Sequence, residues 1–388
     1  LQIHNFYQIP GGEDVVVRNE KRLLEEHGHK VYTYYRSNSE LAKKGIVGKL
    51  FLPFTAVFSL KTYREVKKLI RENQIDIVHV HNTLTMVSPS VFYAAFRCKV
   101  PVVQTLHNFR MLCPAGSFFR DNVICEECVQ HGMGCAIRHK CYRNSKLQSF
   151  VSAAILQIHR FVGRVNFICL TEFNRKKLLE SLDTKKEIVN PERVYIKPNF
   201  TFAEEIVPNE VRSDEEYFLF AGRVEALKGI DIAVRAFEKL PDKKLYVAGN
   251  GPMMEEMQRY VREHHMENVK FLGYLQKDEM SEKFYQAKAV IMTSQCYEAF
   301  AMTIAEAYSY GVPVIAGRVG NMDGMVQDGI TGVKFTYNSA EDLADKISAF
   351  DAMDLSVLKK NARAFYAERL RPEDNYQKLI RIYEDISK

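Results

Sequence analysis

Residues 289–306 read Ala-Val-Ile-Met-Thr-Ser-Gln-Cys-Tyr-Glu-Ala-Phe-Ala-Met-Thr-Ile-Ala-Glu, and this stretch decides the fold class. Its apolar start, residues 289–293, is typical of a buried strand. The run that opens near residue 301 is typical of a helix that ends before Gly311 and Pro313. A strand, a short loop and a helix in this order form half of the repeating unit of a parallel sheet covered by helices. The stretch therefore predicts an α/β domain with a loop at the carboxyl end of a strand.

Two carboxylates, Glu298 and Glu306, flank this loop. Glu298 falls in the loop and Glu306 inside the helix, so the backbone N–H groups of residues 300–303 lie between them. A helix amino terminus of this kind attracts phosphate. Carboxylates on either side of it can hold the hydroxyls of a sugar and a ribose. A pair of solvated surface glutamates gives the same pattern, so the interpretation needs support from other loops.

The composition indicates a globular protein of two domains. The chain has 388 residues, 46% of them hydrophobic and 26% charged, which exceeds the size at which one core usually stops growing. No apolar run reaches the roughly 18 residues that span a bilayer. Residues 1–200 hold 30 basic and 17 acidic side chains, which predicts an anionic partner such as a membrane surface or a phosphorylated acceptor. Because no zinc-finger, RNP-type or helix-turn-helix pattern occurs, we expect no nucleic-acid partner.

Short apolar runs alternate with amphipathic stretches in both halves of the chain, as in parallel sheets covered by helices. The predicted strands are residues 1–6, 31–35, 76–80, 101–106, 166–170, 193–197, 217–221, 244–248, 269–272, 289–293, 313–316 and 332–335. The predicted helices include residues 13–27, 61–73, 228–239, 252–264 and 339–349. The pattern predicts two doubly wound α/β domains in tandem, with ligands outside the carboxyl ends of the strands and a site in the cleft between the domains.

The domain boundary is predicted at Lys197-Pro198-Asn199, where an acidic, irregular stretch begins and continues to Glu216. Residues 1–199 would form a first Rossmann-like domain on the acceptor side, with a Cys-rich loop at 113–145. Residues 200–365 would form a second, nucleotide-sugar-binding domain. The terminal segment 366–388 is predicted to be helical, with a break at Arg371-Pro372, and to pack back towards the first domain.

Three further loops at predicted strand ends contribute to the interpretation. Gly11-Gly12 permits close approach of an anion to the backbone, although paired glycines are also common in plain turns. Arg223 and Lys228 bring two cations to a helix start, where they oppose the dipole unless an anionic ligand offsets the cost. Two solvated basic residues remain the alternative. The turn at 249–252, Gly-Asn-Gly-Pro, is mainly structural.

Taken together, these loops resemble the retaining glycosyltransferases of family four (glycosyl transferases group 1), which have the GT-B fold. The resemblance covers nearly the whole chain and is strongest from Phe218 to Phe335. Its motifs, in order, are Ala-Gly-Arg with Lys-Gly at 221–229, Gly-Asn-Gly-Pro at 249–252, Phe-Leu-Gly-Tyr at 271–274, the two glutamates of 298–306, Gly-Val-Pro-Val at 311–314 and Asp-Gly-Ile-Thr-Gly at 328–332. Each motif alone is weak, whereas their order and spacing are specific.

The resemblance implies a role for each matching residue in the second half. Arg223 and Lys228 are similar to the pair that grips the donor diphosphate. Glu298 would hold the hydroxyls of the donor sugar, and Glu306 those of the nucleotide ribose. Further sugar, phosphate and base contacts are implied for Phe300, Ala301, Met302, Thr303, Gly273 and Tyr274.

Two residues of the first half complete the implied site. Gly12 would contact the donor from the opposite domain, and His107 resembles the histidine of the family that faces the donor sugar. A histidine satisfied by its own surroundings at a strand end is the alternative for His107. Asn108 stands where many relatives have Asp, and 320–323, Gly-Asn-Met-Asp, replaces a more usual Gly-Gly-Ile-Pro-Glu run. These departures put the setting of His107 and the sugar contacts of the second loop in doubt.

The resemblance implies sugar transfer from a nucleotide-diphosphate donor, with UDP as the expected nucleotide, to a glycan or a lipid-linked acceptor of surface polysaccharide or glycolipid synthesis. We expect retention of configuration, catalysis without a metal or other cofactor, and a cytoplasmic protein peripheral to the inner face of the membrane. Basic side chains and helix-end amides would stabilise the leaving diphosphate. A GT-B phosphorylase, a nucleotide-sugar epimerase and a non-catalytic nucleotide-sugar-binding protein are the alternatives.

Four cysteines lie close together in a polar stretch: Cys125, Cys128, Cys135 and Cys141. All-thiolate ligation of a structural zinc would order this loop, and His131 and His139 are substitute ligands. The second pair departs from the CxxC spacing, so free thiols and a redox function remain alternatives.

Stretch 48–60 is apolar and aromatic between Lys43, Lys44, Lys49 and Lys61. It predicts either an anchor at an anionic membrane surface or an ordinary buried segment.

Overall fold

The computed structural model describes residues 1–9, 11–43, 45–160, 165–182, 189–202 and 215–388. The chain forms two compact units. The first comprises Leu1–Phe118, Glu126–Asn199 and Pro372–Lys388, and the second comprises Phe119–Cys125 and Phe200–Arg371. Across the described ranges, no helix is both long enough and apolar enough to cross a membrane.

The first unit alternates strands and helices. In chain order the elements up to residue 199 are β1 (Gln2–Phe6), α1 (Gly12–Glu26), β2 (Thr33–Ser37), α2 (Glu40–Lys43), α3 (Ile46–Leu50), α4 (Leu52–Val57), α5 (Leu60–Glu72), β3 (Val78–Val80), α6 (Ser90–Cys98), β4 (Val102–Leu106), β5 (Phe119–Arg120), β6 (Val123–Ile124), α7 (Glu127–His131), α8 (Gly134–Arg138), α9 (Lys146–Arg160), β7 (Asn166–Cys169), α10 (Glu172–Leu182) and β8 (Val194–Ile196). Six of these strands form one parallel sheet in the order β2-β1-β3-β4-β7-β8.

The second unit repeats this architecture. Its elements, followed by the terminal helix, are β9 (Phe218–Ala221), α11 (Ile230–Glu238), β10 (Leu245–Ala248), α12 (Met254–Glu263), β11 (Val269–Gly273), α13 (Lys277–Gln286), β12 (Ala289–Met292), α14 (Met302–Ser309), β13 (Val314–Gly317), α15 (Gly320–Met325), β14 (Gly332–Phe335), α16 (Ala340–Phe350), α17 (Leu355–Arg369) and α18 (Pro372–Ser387). The sheet is parallel, in the order β11-β10-β9-β12-β13-β14.

Both sheets confirm the α/β prediction made from hydrophobic patterning. Each predicted strand and each of the five predicted helices is present, with ends that differ by one or two residues. Strands such as β12 and β13 are buried along their whole length, which is why they read as continuous apolar runs rather than as alternating ones. Helices cover both faces of such a sheet, and the main core of the second unit lies between β9, β10 and the helices α11 and α16.

The terminal helix α18 packs in the first unit. Leu379 and Ile382 are buried with Leu24 of α1 and with Val103 and Ile168 of the sheet. The chain leaves the second unit between Arg371 and Pro372, not at residue 366, because α17 continues to Arg369 and packs on α14. Proline at the first position of α18 cannot continue the preceding helix, so the break falls where the sequence predicted it.

Glycines let the first two loops of the second unit approach closely. Gly249 has φ +145°, and a Cβ there would lie 1.8 Å from the carbonyl oxygen of Gly222. A Cβ on Gly251 would lie 2.3 Å from the carbonyl oxygen of Val224. The Gly249-Asn-Gly turn, interpreted from sequence as structural, therefore packs directly on the loop that carries Arg223.

We expect Gly249→Ala to lower the free energy of unfolding of the second unit by about 1–3 kcal/mol, because the added methyl group overlaps a backbone carbonyl that must shift. Chemical denaturation monitors the change. Gly324→Ala in α15 is the matched control, since a Cβ there meets nothing within 4 Å, and it should change stability by less than about 1 kcal/mol. Equal effects of the two substitutions would contradict the packing argument.

Candidate functional site

The loops that follow β9 and β12 are joined by an ion pair between Lys228 and Glu298. Lys228 Nζ lies 2.5 Å from Glu298 Oε1, and Ser294 Oγ donates to the same oxygen at 2.6 Å. The Glu298 side chain is 13% exposed and that of Lys228 is 30% exposed. The structure therefore brings together two residues that the sequence predicted separately, one as a phosphate ligand and one as a sugar ligand.

Lys228 and Glu298 each stabilise the ionised form of the other. Burial alone would raise the pKa of Glu298, but the Lys228 ammonium and the Ser294 hydroxyl outweigh it and hold this pKa below its usual value. Burial would likewise lower the pKa of Lys228, and Glu298 raises it instead. Both side chains are consequently ionised at neutral pH, so the site presents a fixed cation and a fixed carboxylate side by side.

Two hydrogen bonds join the end of β12 to the loop that carries Lys228. Gln295 N donates to Leu227 O at 2.9 Å, and Thr293 Oγ1 donates to Lys228 O at 2.9 Å. Gly229 has φ +66°, and a Cβ at this position would lie 2.1 Å from Thr293 O. The Lys-Gly motif is thus required locally, because only glycine allows the loop to cross the end of β12 this closely.

Asn321 is a site residue that the sequence analysis missed. Its Nδ2 donates to Glu298 O at 2.6 Å and to Ala299 O at 2.9 Å, and the residue is only 3% exposed. The preceding Gly320 has φ +53° and lies against Tyr297. The departure at 320–323 therefore supplies a clamp for the Glu298 loop. The signal available in the sequence was an Asn directly after a glycine at a predicted strand end.

Arg223 is more exposed than Lys228 and has a different ion-pair partner. Its side chain is 52% exposed, and Nε lies 3.4 Å from Glu225 Oε2. An exposed ion pair of this kind contributes little to stability. The guanidinium is therefore available for a ligand at modest cost, as a site cation requires.

The amino terminus of α14 presents unused donors. Within the described residues, the N–H groups of Phe300 and Ala301 donate to no acceptor. Met302 N donates to Phe300 O at 3.0 Å, so its amide has an acceptor within the loop, and the predicted contact of Met302 with the donor stays a prediction. Thr303 Oγ1 donates to Ala221 O at 3.4 Å, which ties this turn to the end of β9. The terminus carries the positive end of the helix dipole.

Glu306 lies on α14, half-buried. The described residues include no cation or donor that contacts its carboxylate. Burial therefore raises the pKa of Glu306 to about 7. Hydroxyl groups of a ligand would stabilise such a carboxylate, because they can donate hydrogen bonds to it.

Gly273 and Tyr274 stand at the carboxyl end of β11. Gly273 has φ +71°, and its carbonyl oxygen accepts from Gly249 N at 2.7 Å. The ring of Tyr274 is 72% exposed. A turn of glycine followed by an exposed aromatic ring can support a planar ligand, and the base contact stays a prediction.

The first unit holds the other two predicted residues. Gly12 opens α1. His107 follows β4 and lines a cavity of about 30 Å³ together with His81, Asn82, Gln104 and Arg110. Burial, and secondarily His81, lowers the pKa of His107 well below its usual value, so its ring is neutral. Asn108 Oδ1 accepts from Arg110 N at 3.1 Å, so the residue that departs from the family pattern shapes the turn.

Glu13 and Arg110 form a second polar group in the first unit that sequence reasoning left out. Tyr7 OH donates to Glu13 Oε2 at 3.0 Å, whereas Glu13 Oε1 and Arg110 Nε are buried without a hydrogen-bond partner. Burial raises the pKa of Glu13. The available signal was the glutamate directly after Gly11-Gly12.

The four cysteines predicted to bind zinc do not form a ligand set. Among the described residues, three or more His, Cys, Asp or Glu ligand atoms approach within 4.8 Å only at Glu20, His79 and His81. Cys125 belongs to the second unit with the β5–β6 hairpin, and Cys128, Cys135 and Cys141 belong to the first. Burial raises the pKa of Cys128 to about 12. The four cysteines form no disulfide bond, and their positions give the zinc prediction no support.

Two family models match the chain. Residues 10–199 match Glycosyltransferase Family 4, and residues 202–363 match Glycosyl transferases group 1. The chain is 21% identical over 390 residues to an uncharacterized 41.2 kDa protein in the cps region of Klebsiella pneumoniae, covering 98% of this chain and 99% of that protein. It is 25% identical to an uncharacterized glycosyltransferase of Methanocaldococcus jannaschii, over 98% of this chain and 97% of that one.

A solved structure shows the same fold. The Alr3699/HepE protein of Anabaena, crystallised with UDP-glucose, superposes with a TM-score of 0.66 at 17% identity, over 100% of this chain and 99% of that one.

We expect Glu306→Gln to stabilise the protein more at pH 8 than at pH 5. The folded-state pKa of about 7 lies above the unfolded value. The penalty is therefore absent below about pH 4, grows as the pH rises, and is complete above pH 7. Between pH 5 and 8 the advantage of the variant in unfolding free energy should grow by about 1–3 kcal/mol.

Denaturation at several pH values measures this difference. Glu263→Gln, at an exposed position of α12, is the control and should show no such trend. A pH-independent difference for Glu306→Gln would mean that the Glu306 carboxylate is solvated in the folded state.

Proposed function

Because the chain belongs to the GT-B glycosyltransferases of family four, we propose that it transfers a sugar from a nucleotide-diphosphate donor with retention of configuration. The observation that carries this proposal is the arrangement around α14. The Lys228–Glu298 pair and the unused N–H groups of Phe300 and Ala301 lie at the amino end of this helix. Glu306 lies further along it.

Each part of this arrangement suits one part of the donor. Arg223 and Lys228 offer cations to the diphosphate, and the α14 amides offer donors to its oxygens. Glu298, held ionised by Lys228, would accept hydrogen bonds from the sugar hydroxyls. Glu306, a carboxylate without a cation, would accept those of the ribose. Gly273 and Tyr274 would border the base, and Gly12 and His107 would act from the first unit.

The chemistry proposed for this site is departure of the nucleotide diphosphate as its negative charge grows. Lys228 lies in a partly buried position, where a fixed cation stabilises charge more than it would in water. Because the cations come from side chains, we propose that the transfer needs no divalent metal ion. Front-face attack, in which the leaving oxygen takes the proton of the acceptor, accounts for retention.

We propose UDP as the nucleotide and a glycan or lipid-linked acceptor. The Anabaena protein of the same fold is bound to UDP-glucose, and the cps-region protein of Klebsiella is similar along its whole length. These likenesses support a role in surface polysaccharide or glycolipid synthesis, and we propose that the protein acts in the cytoplasm.

A surface of the first unit suits a lipid-linked acceptor. Helix α4 packs on α9 through Ala56 and Ile155, and around this contact large apolar side chains are exposed: Ile46 89%, Leu50 71%, Phe51 54%, Phe54 72%, Leu147 66% and Phe150 56%. Exposed lysines border them at Lys43, Lys61 and Lys146. Lys44 and the Lys49 side chain lie outside the described residues.

We propose that this apolar surface rests on an anionic membrane. Aromatic and aliphatic side chains enter the interface while lysines meet the headgroups, which combines the two forces that attach peripheral proteins.

A panel of nucleotide diphosphates and nucleotide sugars, followed by thermal shift, tests the donor site. A ligand at about 100 times its dissociation constant should stabilise the protein by roughly 2.7 kcal/mol. We expect one nucleotide, UDP, to give this shift. Arg223→Ala should weaken it, whereas Arg262→Ala, on an exposed face of α12, should leave it unchanged. No response to any nucleotide would refute the proposal.

Glu298→Gln separates transfer from mere binding. The variant should lower turnover much more than donor affinity if Glu298 acts on the sugar during transfer. A wild-type chain that binds a nucleotide sugar but never transfers it, to water or to any acceptor, would favour a binding protein.

Sedimentation with lipid vesicles tests the membrane surface. Phe54→Glu should reduce binding to vesicles rich in anionic lipid by about tenfold or more, because burial of one Phe contributes about 1.5–3 kcal/mol. Added salt should weaken binding of the wild type. Val357→Glu replaces another exposed apolar residue, 48% exposed on α17, and should have no effect. Binding that is independent of both lipid charge and salt would exclude the role of the lysines.

A further inference from the structure

The N–H groups of Phe300 and Ala301 lack a hydrogen-bond acceptor although both residues are nearly buried. Phe300 is 9% exposed and Ala301 is 3% exposed, and neither amide has an acceptor in the part of the chain that the structure describes. Buried backbone N–H groups are almost always paired, because an unpaired one costs about as much as a lost hydrogen bond. Two successive unpaired donors therefore need an explanation from the loop that holds them.

Asn321 holds the peptide that joins Ala299 to Phe300. Its Nδ2 donates to Ala299 O at 2.9 Å and to Glu298 O at 2.6 Å. The peptide is trans, so its C=O and N–H groups point in nearly opposite directions. Because the Ala299 carbonyl faces Asn321, the Phe300 N–H group is directed away from Asn321. The Asn321 side chain thus determines which side of the loop this donor faces.

The following peptide is fixed by the loop itself. Met302 N donates to Phe300 O at 3.0 Å, and Ala301 between them has φ −78° and ψ 86°, close to the angles of an inverse γ-turn. This turn engages the Phe300 carbonyl, so the Ala301 N–H group of the same peptide points away from Met302 N. One side chain and one turn therefore direct two successive donors.

Asn321 is held in place by its own surroundings. Only the NH₂ group of its amide can donate, and an amide oxygen facing two carbonyls would be repelled, so Nδ2 is the atom that faces the loop. Asn321 lies in α15, which Lys334 of β14 anchors through bonds to Asp323 O and Oδ1 at 2.6 and 2.9 Å. A Cβ on Gly320 would lie 2.9 Å from Tyr297 Cδ1, so glycine allows α15 to begin this close to the loop.

We propose that Asn321 is a positioning residue that keeps the Phe300 N–H group directed at a phosphate oxygen of the bound donor. The contact with the donor rests on the proposed function, whereas the orientation of the peptide is a property of the protein alone. Phosphate is the matching group because the positive end of α14 favours an anion. The Lys228 ammonium lies at the same loop, through its contact with Glu298.

Loss of the Asn321 side chain would remove a donor that holds the Ala299 carbonyl. The peptide between Ala299 and Phe300 can then rotate, which turns its carbonyl towards the phosphates and its N–H group away from them. A carbonyl oxygen that faces a phosphate oxygen is repelled, because neither can donate a hydrogen bond. Asn321 would therefore affect donor binding without touching the donor.

A purely structural role is the alternative, and Asn268 provides the matched control for it. The Nδ2 atom of this residue donates to the carbonyls of Phe237, Leu240 and Lys243 at 2.9, 2.9 and 3.0 Å. Asn268 lies directly before β11, at the amino end of its strand, whereas ligands of such sheets bind at the carboxyl ends. Asn268→Leu therefore removes comparable hydrogen bonds away from the candidate site.

NMR of the full chain labelled with ¹³C-carbonyl alanine and ¹⁵N-phenylalanine tests the orientation of the peptide. Only a Phe that directly follows an Ala is detected as a pair by this labelling, and the sequence holds five: Phe96, Phe237, Phe300, Phe350 and Phe365. The other four lie in helices and serve as references. The Phe300 signal is assigned by its loss in Phe300→Leu.

We expect the Phe300 amide proton of the ligand-free wild type to show the steep temperature dependence of a group without an intramolecular acceptor. Addition of UDP should shift this proton downfield, because a hydrogen bond forms. In Asn321→Leu the Ala299 carbonyl and Phe300 amide signals should move in the ligand-free protein, and UDP should no longer shift the amide. Asn268→Leu should leave both signals unchanged.

Titrations with UDP and with uridine separate the phosphate contact from the contacts of base and ribose. Asn321→Leu should lower UDP affinity by about 10- to 100-fold, the range for a hydrogen bond to a charged group, and should change uridine affinity far less. Asn321→Asp has the same shape, but its ionised carboxylate cannot donate, so it should give the same selective loss. Asn268→Leu should lower thermal stability and leave both affinities unchanged.

Three results would overturn the proposal: a wild-type Phe300 amide that does not shift when UDP binds, Ala299 and Phe300 signals that are the same in Asn321→Leu as in the wild type, or equal losses of UDP affinity in Asn321→Leu and Asn268→Leu. The first of these needs no variant, so it applies even if a substitution prevents folding. A loss of affinity for UDP-glucose alone would place the contact at the sugar and overturn the assignment to phosphate.

Failure of the wild-type chain to bind any nucleotide would refute the proposed function together with the phosphate contact. The Ala299 and Phe300 signals of the ligand-free protein would still decide whether Asn321 orients the peptide.

Discussion

The ion pair between Lys228 and Glu298 is the interaction on which the candidate site depends. It joins the loops after β9 and β12, the two adjacent central strands from which the chain proceeds outward in opposite directions. At such a switch point the loops diverge and leave a crevice. The pair sets how far they diverge, because Ser294 and Asn321 fix Glu298 from one side while the Gly229 turn fixes Lys228 from the other.

Burial acts on both Glu298, in the loop after β12, and Glu306, in the following helix, but their pKa values shift in opposite directions. Both Glu298 and Glu306 lose water on folding, which favours their neutral form. Glu298 has an ammonium and a hydroxyl in contact and stays ionised, whereas burial of Glu306 goes uncompensated and raises its pKa to about 7. One site thus offers a permanent charge and a carboxylate that gains from neutral donors. That difference fits a ligand with both a charged and a hydroxyl-rich part.

The first unit contains a buried ion pair between Glu20 and Lys197. Glu20 and Lys197 are withdrawn from water together, and a buried pair of this kind adds little net stability. The terminal helix takes part, since Asn375 accepts from Lys197 and donates to the Pro198 carbonyl.

Hydrophobic period, turn residues and motif order by themselves determined the two α/β sheets, the break at Pro372 and the loop that carries Glu298, because these features depend on neighbours a few positions apart. Tertiary structure alone decided which distant side chains meet. The contacts of Asn321 with the Glu298 loop and of Lys197 with Glu20 depend on loop paths that no local pattern encodes. Burial decided charge as well: a sequence shows that a glutamate is present, but its protonation depends on the water and partners that the fold leaves around it.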